Sequence, residues 1–363
     1  MKPICVLLLF AVSEENSTFS YHSAWPRHFQ AHPAFICTPV NVADRALLSR
    51  AAALWRSRSF AGDAVVVLHS VFSNACLAPE WMMDALGRLR VPKAYFIGNE
   101  YKLMPQKMDF CERIGITLLV SQSLSPRVHA LYRARLKCAV TGISNTGLDD
   151  KLFYPTTPVA ERPIDLGYRA EDAPPYLGHC ERQQIAEYFV ANADRLNLRV
   201  DISLRREDRL AERDWAAFLN RCKGQLGTEA GGDYFDLEDR TRNATVAYMT
   251  AHPDWTMTDI EQHVLSKAVD PIPLRIISGR NVEAAGTKTA QVLLEGEYDG
   301  YLKPDEHYIA LKKDFSNADD TIAKFQDAAF RARIAENAYA LVRQELTYDK
   351  LLDRFHGALS PLV

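Results

Sequence analysis

Two polar side chains in the first third of the sequence are of types that transfer protons. His69 and Glu100 each follow a short apolar run. Histidine and glutamate are common general bases, so either one could accept the proton of a substrate hydroxyl group. For His69 the alternative is a histidine at a strand end that is hydrogen-bonded to the backbone. Glu100 stands between Asn99 and Tyr101, so three polar or amphipathic groups leave the apolar run together.

A glycine-rich segment and an arginine near a helix start could both contact an anion. Residues 227–233 read Gly-Thr-Glu-Ala-Gly-Gly-Asp and follow a short apolar run. Glycines free backbone N–H groups to line a ligand, so we expect Glu229, Gly231 and Gly232 to line a cleft. The alternative is a flexible surface turn. Arg280 just precedes a predicted helix, where the helix dipole favours negative charge.

The hydrophobic pattern predicts the elements that must position these residues. Before residue 150, short apolar runs alternate with amphipathic segments of helical period. Wholly apolar strands separated by helices indicate a parallel sheet that is covered on both faces. Such doubly wound α/β sheets bind ligands at the carboxyl ends of their strands. The predicted strands are residues 4–10, 34–37, 64–68, 94–97, 117–120 and 138–141, and the predicted helices are residues 45–55, 79–89, 105–114 and 125–136.

A proline-rich segment divides the chain. Three prolines fall between positions 155 and 163, and proline resists both helix interiors and central strands. We therefore predict a first domain over residues 1–157 and a second over residues 162–340. The helices of residues 341–363 are expected to pack back toward the first domain. Two α/β domains joined by a hinge imply a cleft between them.

In the second domain the alternation restarts. The predicted strands are residues 164–168, 198–204, 224–227, 275–278 and 291–294, and the predicted helices include residues 182–193 and 212–221, a helical excursion over 237–265, and two or three helices over 319–359.

Length and composition fit a two-domain globular protein. A chain of 363 residues is too long for one ordinary core, and 47% hydrophobic with 25% charged residues is a typical balance. The net charge of -3 is unevenly distributed, since residues 1–150 carry 16 Lys and Arg against 11 Asp and Glu, whereas residues 151–363 carry 27 against 35. The positive first half could favour an anionic acceptor or an anionic membrane surface. The alternative is an ordinary solvated surface.

Cysteine usage and the N-terminus predict a cytoplasmic protein. The seven cysteines are odd in number and form no C-x-x-C, so neither a disulfide framework nor a zinc site is indicated. The apolar run Ile4–Phe10 reads as a buried strand, because no small-residue cleavage site follows it. The glycosylation pattern at Asn16 would then be unused. The basic residues 127–137 could contact phospholipid headgroups, which leaves association with the inner face of a membrane open beside a solvated helix face.

Three segments resemble glycosyltransferase sequences. Residues 141–155 resemble the N-G-(V/L)-D…F-x-P signature that closes the N-terminal domain in many GT-B enzymes. Residues 165–169, followed by Leu177-Gly178 and Arg182, resemble the first strand and phosphate-facing loop of the donor domain. Residues 277–289 resemble the R-x-x-E-A-x-x-x-G donor-site helix of family 4-like glycosyltransferases (the bacterial "glycosyl transferases group 1" type), and L-E-G-E-Y and H-Y-I-x-L-K-K-D-F-S-N follow, as in a bacterial branch. The resemblance spans most of residues 138–350.

The resemblance implies a fold and an activity. The fold is α/β of the GT-B type, with two Rossmann-like doubly wound domains that face a central cleft, the first binding the acceptor and the second the donor. The activity is transfer of a sugar from a UDP- or GDP-linked donor to a hydroxyl acceptor, such as a saccharide or lipid-linked saccharide, in cell-surface polysaccharide or glycoconjugate synthesis. The family implies retention of anomeric configuration, no metal and no cofactor. No nucleic-acid partner is expected.

The resemblance also implies contacts with the donor diphosphate. Arg169, Arg182, Arg280 and, less firmly, Lys288 would bind its oxygens, because the planar guanidinium binds phosphate bidentately and stabilises charge on the leaving group. For Arg169 the alternative is an ion pair with Glu171. For Arg182 the alternative is a solvated position at a helix start.

The resemblance further assigns Glu283 to the ribose, whose two hydroxyls a carboxylate can accept at once. The alternative is a glutamate that complements the helix dipole. Around Thr287 and Lys288, small residues would let the backbone approach the nucleotide, or would serve helix packing. The family often has a second glutamate eight residues before the first, and here that position is Arg275.

Two other functions remain open. A GT-B nucleotide-sugar epimerase would need several acid and base groups around the sugar, and the sequence offers no such cluster. A non-catalytic GT-B subunit that binds nucleotide sugars is favoured by the altered glutamate pair.

Overall fold

The structure is a computed structural model that describes residues 2–13 and 20–363. The glycosylation pattern at Asn16 lies outside the described residues. The strands are β1 (Ile4–Phe10), β2 (Phe35–Asn41), β3 (Ala64–Val67), β4 (Lys93–Phe96), β5 (Leu118–Ser121), β6 (Ala139–Gly142), β7 (Ile164–Arg169), β8 (Val200–Ser203), β9 (Cys222–Gly227), β10 (Ala230–Gly232), β11 (Leu274–Ile276), β12 (Ala290–Leu294) and β13 (Ile309–Leu311).

Helices connect most of these strands. The α-helices are α1 (Ser20–Ala31), α2 (Leu47–Ser59), α3 (Glu80–Arg88), α4 (Met104–Ile114), α5 (Pro126–Leu136), α6 (Glu181–Asn192), α7 (Glu212–Leu219), α8 (Arg240–Ala251), α9 (Met257–His263), α10 (Gly279–Gly286), α11 (Ala318–Gln326), α12 (Ala328–Glu345) and α13 (Tyr348–Leu359).

The first sheet is parallel, with the strand order β2-β1-β3-β4-β5-β6. Its central strands β3, β4 and β5 are buried along their whole length, because helices cover both faces. Trp25 and Phe29 of α1 pack on one face together with Phe355 of α13. The apolar sides of α2 to α5 pack on the other face.

The second sheet is also parallel, with the order β13-β12-β9-β7-β8. In each sheet, the second strand in sequence lies on one side of the first strand and the third lies on the other side. A topological switch point therefore lies between β1 and β3, and another lies between β7 and β9. Doubly wound sheets bind ligands outside the carboxyl ends of the strands at such points. The short strands β10 and β11 form a separate antiparallel pair.

The proline-rich segment is fixed against the second sheet by side-chain hydrogen bonds. Asn220 accepts from the backbone N–H of Thr156 at 2.8 Å and donates to the Tyr154 carbonyl at 3.1 Å. The fully buried Arg162 donates to the carbonyls of Cys222 at 3.0 Å and Thr287 at 2.9 Å. The predicted domain boundaries remain predictions.

The predicted α/β fold class with two doubly wound sheets is confirmed, and three local differences have physical causes. α1 was not predicted, because Pro26 interrupts its sequence pattern. β2 continues past its predicted end through Pro39, which an edge strand tolerates because its N–H need not bond a neighbour. The glycine-rich segment contains strand β10. Among the described residues, no helix is long and apolar enough to cross a membrane.

Candidate active site

A cavity of about 510 Å³ lies where the carboxyl ends of the two parallel sheets meet. Both switch points contribute to its wall. Tyr21 comes from α1, which follows β1, and Ser70 from the turn after β3, while Arg169 ends β7 and Gly231 lies on β10, just after β9. Chain connectivity therefore brings together residues that are far apart in the sequence.

Two arginines on the cavity wall have no carboxylate partner among the described residues. Within residues 2–13 and 20–363, neither Arg182 nor Arg280 forms an ion pair, and the buried Nε of Arg182 has no hydrogen-bond partner. Other arginines on this wall are engaged, since Arg205 pairs with Asp208 at 2.7 Å and Arg209 with Glu171 at 2.6 Å. Within the described residues, the positive charge on this wall that no carboxylate pairs thus comes from Arg182, Arg280 and Lys102.

Arg280 is held at the first turn of α10. Ser278 caps this helix, since its Oγ accepts from the backbone N–H of Arg280 at 3.2 Å and Asn281 Oδ1 accepts from the N–H of Ser278 at 3.0 Å. The Arg280 guanidinium lies 6.0 Å from the ring centre of Tyr168. Burial, and among its neighbours Arg182, lower the Arg280 pKa, so an anion between the two guanidiniums would relieve their repulsion.

The Glu283 carboxylate is buried at the same wall. Trp215 Nε1 donates to its Oε2 at 2.8 Å, and the Ser20 hydroxyl at the start of α1 donates to its Oε1. Burial raises the Glu283 pKa to about 7, while the hydrogen bonds from Ser20 and Trp215 and the charge of Arg280 oppose that rise. Glu283 thus connects α1 of the first sheet to α7 and α10 of the second.

Arg169 also lines the cavity, but its guanidinium is engaged. It pairs with the Asp201 carboxylate at 2.6 Å, donates to the Asp201 carbonyl at 2.9 Å and lies 4.4 Å from the ring centre of Phe218. The alternative ion pair with Glu171 is not formed, because Glu171 pairs with Arg209.

Glu100 lines the cavity from a deeply buried position. Its carboxylate accepts from Tyr132 Oη at 2.6 Å, from the Gln122 N–H at 2.7 Å and from Ser121 Oγ at 2.8 Å. Burial raises its pKa, against the effect of these donors. The arrangement ties together the loops that follow β4 and β5.

His69 is buried beside the cavity and does not line it. Its ring packs 5.0 Å from Tyr21 and 5.4 Å from His22, centre to centre, and within the described part of the chain neither ring nitrogen has a hydrogen-bond partner. Burial and the adjacent His22 hold its pKa well below the usual range. His22 does line the cavity.

Of the glycine-rich segment, Gly231 lines the cavity, whereas Glu229 and Gly232 do not. Gly231 has φ +88°, and a Cβ there would lie 1.8 Å from the Leu274 carbonyl oxygen, so no other residue fits. Gly232 packs against the Leu177 backbone. The segment is a paired strand rather than a flexible turn.

Glu229 has a structural contact instead. It accepts from the backbone N–H of Tyr298 at 2.7 Å, and a Cβ on Gly296 would lie 2.6 Å from its carboxylate. Within the Leu-Glu-Gly-Glu-Tyr motif, Gly296 therefore leaves space for the Glu229 carboxylate, and Tyr298 supplies its hydrogen-bond donor.

Thr287 and Lys288 also face away from the cavity. Thr287 presents its carbonyl to the buried Arg162, and Lys288 pairs with Glu336 of α12 at 2.6 Å. A Cβ on Gly286 would lie 2.3 Å from Leu148 Cδ1. The small residues at the end of α10 thus serve packing between helix and loop.

Arg275 lies on β11 between two residues that line the cavity, with its side chain in an ion-pair network. It donates to Asp233 at 2.6 and 2.8 Å and to Glu181 at 2.9 and 3.3 Å, and Lys313 pairs with Glu181 at 2.8 Å. The carboxylates of Asp233 and Glu181 raise the Arg275 pKa, although burial opposes this.

The sequence reasoning missed Trp215, Ser20 and Arg209. Trp215 lies in a helix that was predicted, but nothing in the pattern indicates which residue its indole contacts. Ser20 belongs to the helix that Pro26 obscured. Among residues 2–13 and 20–363, no group of three or more His, Cys, Asp or Glu side chains is arranged to hold a metal ion.

Comparisons with known proteins identify the fold. No protein-family profile and no curated protein sequence matches the chain. HepE from Anabaena, solved with UDP and glucose, aligns with a TM-score of 0.52 at 13% identity over 99% of this chain and 100% of HepE. Sucrose-phosphate synthase from Thermosynechococcus elongatus aligns with a TM-score of 0.51 at 10% identity over 99% of each chain. The DNA-modifying enzyme β-glucosyltransferase aligns with a TM-score of 0.56 at 8% identity over 99% of this chain and 100% of that enzyme.

These structures confirm the predicted architecture, and the chain has the GT-B fold, with two Rossmann-like sheets facing a cleft. Membership of the family 4-like group stays a prediction.

Proposed function

We propose that this protein transfers a glycosyl group from a nucleoside-diphosphate sugar to a hydroxyl acceptor. The observation that carries the proposal is the pair of cavity arginines, Arg182 and Arg280, without carboxylate partners in the described chain and beside the Glu283 carboxylate. HepE, which shares the fold, was solved with UDP and with UDP-glucose, so UDP-linked sugars are the first donors to test, followed by GDP-linked sugars.

In the reaction, the bond between the sugar C1 and the diphosphate oxygen breaks, and its electron pair remains on that oxygen. The acceptor oxygen bonds to C1 and loses its proton. Negative charge therefore grows on the diphosphate in the transition state, where two fixed guanidiniums stabilise it more than in the ground state. Arg182 and Arg280 are the groups that we assign to this task. Arg169, whose guanidinium is already engaged by Asp201, supports the wall beside them.

Glu283 would orient the nucleoside through the ribose hydroxyls. Each carboxylate oxygen can accept two hydrogen bonds, and each accepts one bond in this structure, from Ser20 or Trp215. The remaining capacity suits a cis-diol. Because the Glu283 pKa is raised to about 7, its acceptor strength increases as the pH rises through neutrality.

We propose a retaining and metal-independent reaction, as the family resemblance implies. Arg280 keeps its predicted catalytic role. Glu100 is better suited to positioning the loops after β4 and β5, since its oxygens accept three hydrogen bonds. His69 would influence the reaction by positioning Tyr21 and His22, since it packs against both of their rings.

The acceptor is proposed to be a saccharide or lipid-linked saccharide, in cell-surface glycan synthesis. Amide side chains of the first sheet line the acceptor side of the cavity, and amides can both donate to and accept from sugar hydroxyls. The amides are Asn74, Asn99, Gln122 and Asn145.

The test is a panel of UDP- and GDP-sugars incubated with saccharide and lipid-linked acceptors, with released nucleoside diphosphate and glycosylated product both measured. Glycosylated product whose formation requires one donor supports the proposal. An epimerised donor in the NMR spectrum without acceptor would identify an epimerase. Nucleotide binding in thermal-shift assays with no turnover on any acceptor would favour a non-catalytic subunit.

A further inference from the structure

Helix α2 presents large apolar side chains to solvent. Leu47 is 82% exposed, Leu48 is 86% exposed and Trp55 is 69% exposed. On the helix only Ala53 and Ser57 are buried. Side chains of this size are normally buried, and a cluster of them on one element marks an interaction surface.

Helical geometry collects these side chains on one face. At 100° per residue, Leu47, Leu48 and Trp55 fall within about 100° of one another. The buried Ala53 and Ser57 lie on the opposite side, where α2 packs on the first sheet. The helix therefore has one narrow inner face of small residues and one outer face of large apolar residues.

Arginines border the apolar face, and one of them, Arg58, falls between Leu47 and Trp55 on the face itself. They have no ion pair with any carboxylate of residues 2–13 and 20–363, and their charges are thus available to an external partner. Arg56 also donates to the Pro39 carbonyl on the edge strand β2 at 2.7 Å, and Ile36 of that strand is 59% exposed. The arginines are Arg45, Arg50, Arg56 and Arg58.

The position of α2 relates this surface to the cavity. Leu47 follows β2 at the carboxyl edge of the first sheet, and the loops at this edge supply the cavity residues Ser70, Asn99 and Asn145. The apolar face therefore begins at the same edge of the first sheet as the cavity.

We propose that α2 is a docking helix that lies in the surface of an anionic lipid bilayer. Leu47, Leu48 and Trp55 would enter the boundary between headgroups and acyl chains, while the surrounding arginines contact anionic headgroups. The four arginines, which pair with no carboxylate in the part of the chain that the structure describes, favour a charged membrane over a neutral protein surface as the occupant. The inference goes beyond the proposed reaction and does not depend on it.

The same criteria disfavour α5, the basic helix that the sequence indicated. Its large side chains Val128 and Tyr132 are buried, and Arg127 and Arg135 form ion pairs with Asp270 and Glu112. α5 has positive charge without an apolar face, so it lacks the second component of an interfacial helix.

The experiment is flotation of the purified protein with vesicles of phosphatidylcholine alone or with 30% phosphatidylglycerol. Binding is expected only to the anionic vesicles, and it should weaken as salt increases. Leu47→Ser/Leu48→Ser/Trp55→Ser should reduce the affinity at least about tenfold, and Arg50→Gln/Arg58→Gln should reduce it about fivefold for each arginine removed. Matched controls are the exposed Val190→Ser and Val269→Ser, and Arg133→Gln on α5, none of which should alter binding.

Circular dichroism verifies that each variant is folded. The proposal fails if the wild-type protein does not float with anionic vesicles at low salt, or if the α2 variants float as well as the wild type. It also fails if the α2 substitutions abolish a concentration-dependent dimer seen by light scattering while leaving vesicle binding intact, because the face would then serve a second copy of the chain.

Discussion

The Trp215 indole donates a 2.8 Å hydrogen bond to Glu283 Oε2, and this bond stabilises a carboxylate that burial would otherwise keep protonated. Trp215 belongs to α7 and Glu283 to α10, so the bond fixes the acid relative to the second sheet. With a pKa of about 7, Glu283 changes charge near neutral pH. Both stability and nucleotide recognition should therefore depend on pH there.

Replacing Glu283 by glutamine should remove one component of the pH dependence of stability. The folded pKa of about 7 exceeds the ordinary value of 4.5. The stabilisation that the Glu283 carboxyl gives the folded state is therefore fully present below pH 4.5 and is lost as the pH rises through 7. Relative to E283Q, the wild-type free energy of unfolding should fall between pH 4.5 and 7 by on the order of 3 kcal/mol at most. Urea unfolding at several pH values measures this difference.

Glu187→Gln, on the exposed side of α6, is the control for that experiment. Its unfolding free energy should follow the wild type across the same pH range. A difference between wild type and E283Q that stays constant from pH 4.5 to 7 would contradict the assignment of the raised pKa to Glu283.

Removing either Arg182 or Arg280 should reduce transfer more than it reduces stability. Arg182→Ala and Arg280→Ala should each lower kcat/KM by about 10²- to 10³-fold, the range for losing one preorganised charge-stabilising donor. Arg205→Ala is the matched control, because Arg205 lines the same wall but is paired with Asp208. Steady-state kinetics with the active donor measures the effect. Equal activity of the Arg205 and Arg280 variants would show that pairing does not determine which arginine acts.

Much of the fold could be predicted because hydrophobic pattern records burial directly. β1 is buried and apolar along most of its length, and the structure has it where the pattern predicted it. Where the pattern is interrupted, prediction failed for identifiable reasons. Pro26 interrupts the helical pattern of α1, although the helix accommodates it. Pro39 interrupts the strand pattern of β2, although an edge strand accommodates it.

The candidate site was less predictable, because a residue type and its spacing do not reveal the partner of a side chain. Arg169 and Arg182 read alike in sequence, yet Asp201 engages the first, whereas no carboxylate in residues 2–13 and 20–363 engages the second. Thr287 follows the helix of Glu283 directly but contacts the buried Arg162. Tertiary contacts of this kind come from distant parts of the chain, so local sequence does not contain them.

Arg275 should be a positioning residue whose loss destabilises the fold. Arg275→Met leaves Glu181, with a side chain only 8% exposed, with Lys313 at 2.8 Å and the His179 ring at 3.9 Å. Breaking a buried pair typically costs about 3–5 kcal/mol, and the retained Lys313 contact should keep the loss near the lower end. Because Glu181 begins α6 next to Arg182, the variant should also lower transfer by displacing Arg182. Urea unfolding and kinetics measure the two effects.

The double variant Arg275→Met/Glu181→Met completes a thermodynamic cycle, and it should cost less than the sum of its single variants. Arg195→Met provides the exposed comparison, since Arg195 pairs with Asp319 at the surface and should contribute less than about 1 kcal/mol. If Arg275→Met costs no more than Arg195→Met, the network does not hold β11 against α6.

One substitution should have opposite effects at two helical glycines. In Gly286→Ala the new Cβ would lie 2.3 Å from Leu148 Cδ1 and 2.9 Å from the Phe153 carbonyl oxygen, and the backbone contact cannot be relieved by a rotamer change. Overpacking of this kind costs about 1–3 kcal/mol. In Gly357→Ala, within α13, no atom apart from the chain neighbours and the nearby helix backbone lies within 4 Å of the new Cβ, so the gain in helix propensity should stabilise the protein by about 0.5–1 kcal/mol. Urea unfolding of both variants measures the contrast. A stabilising Gly286→Ala would mean that α10 can move away from the loop that carries Leu148. Glu283, one turn earlier on α10, would then move with the helix.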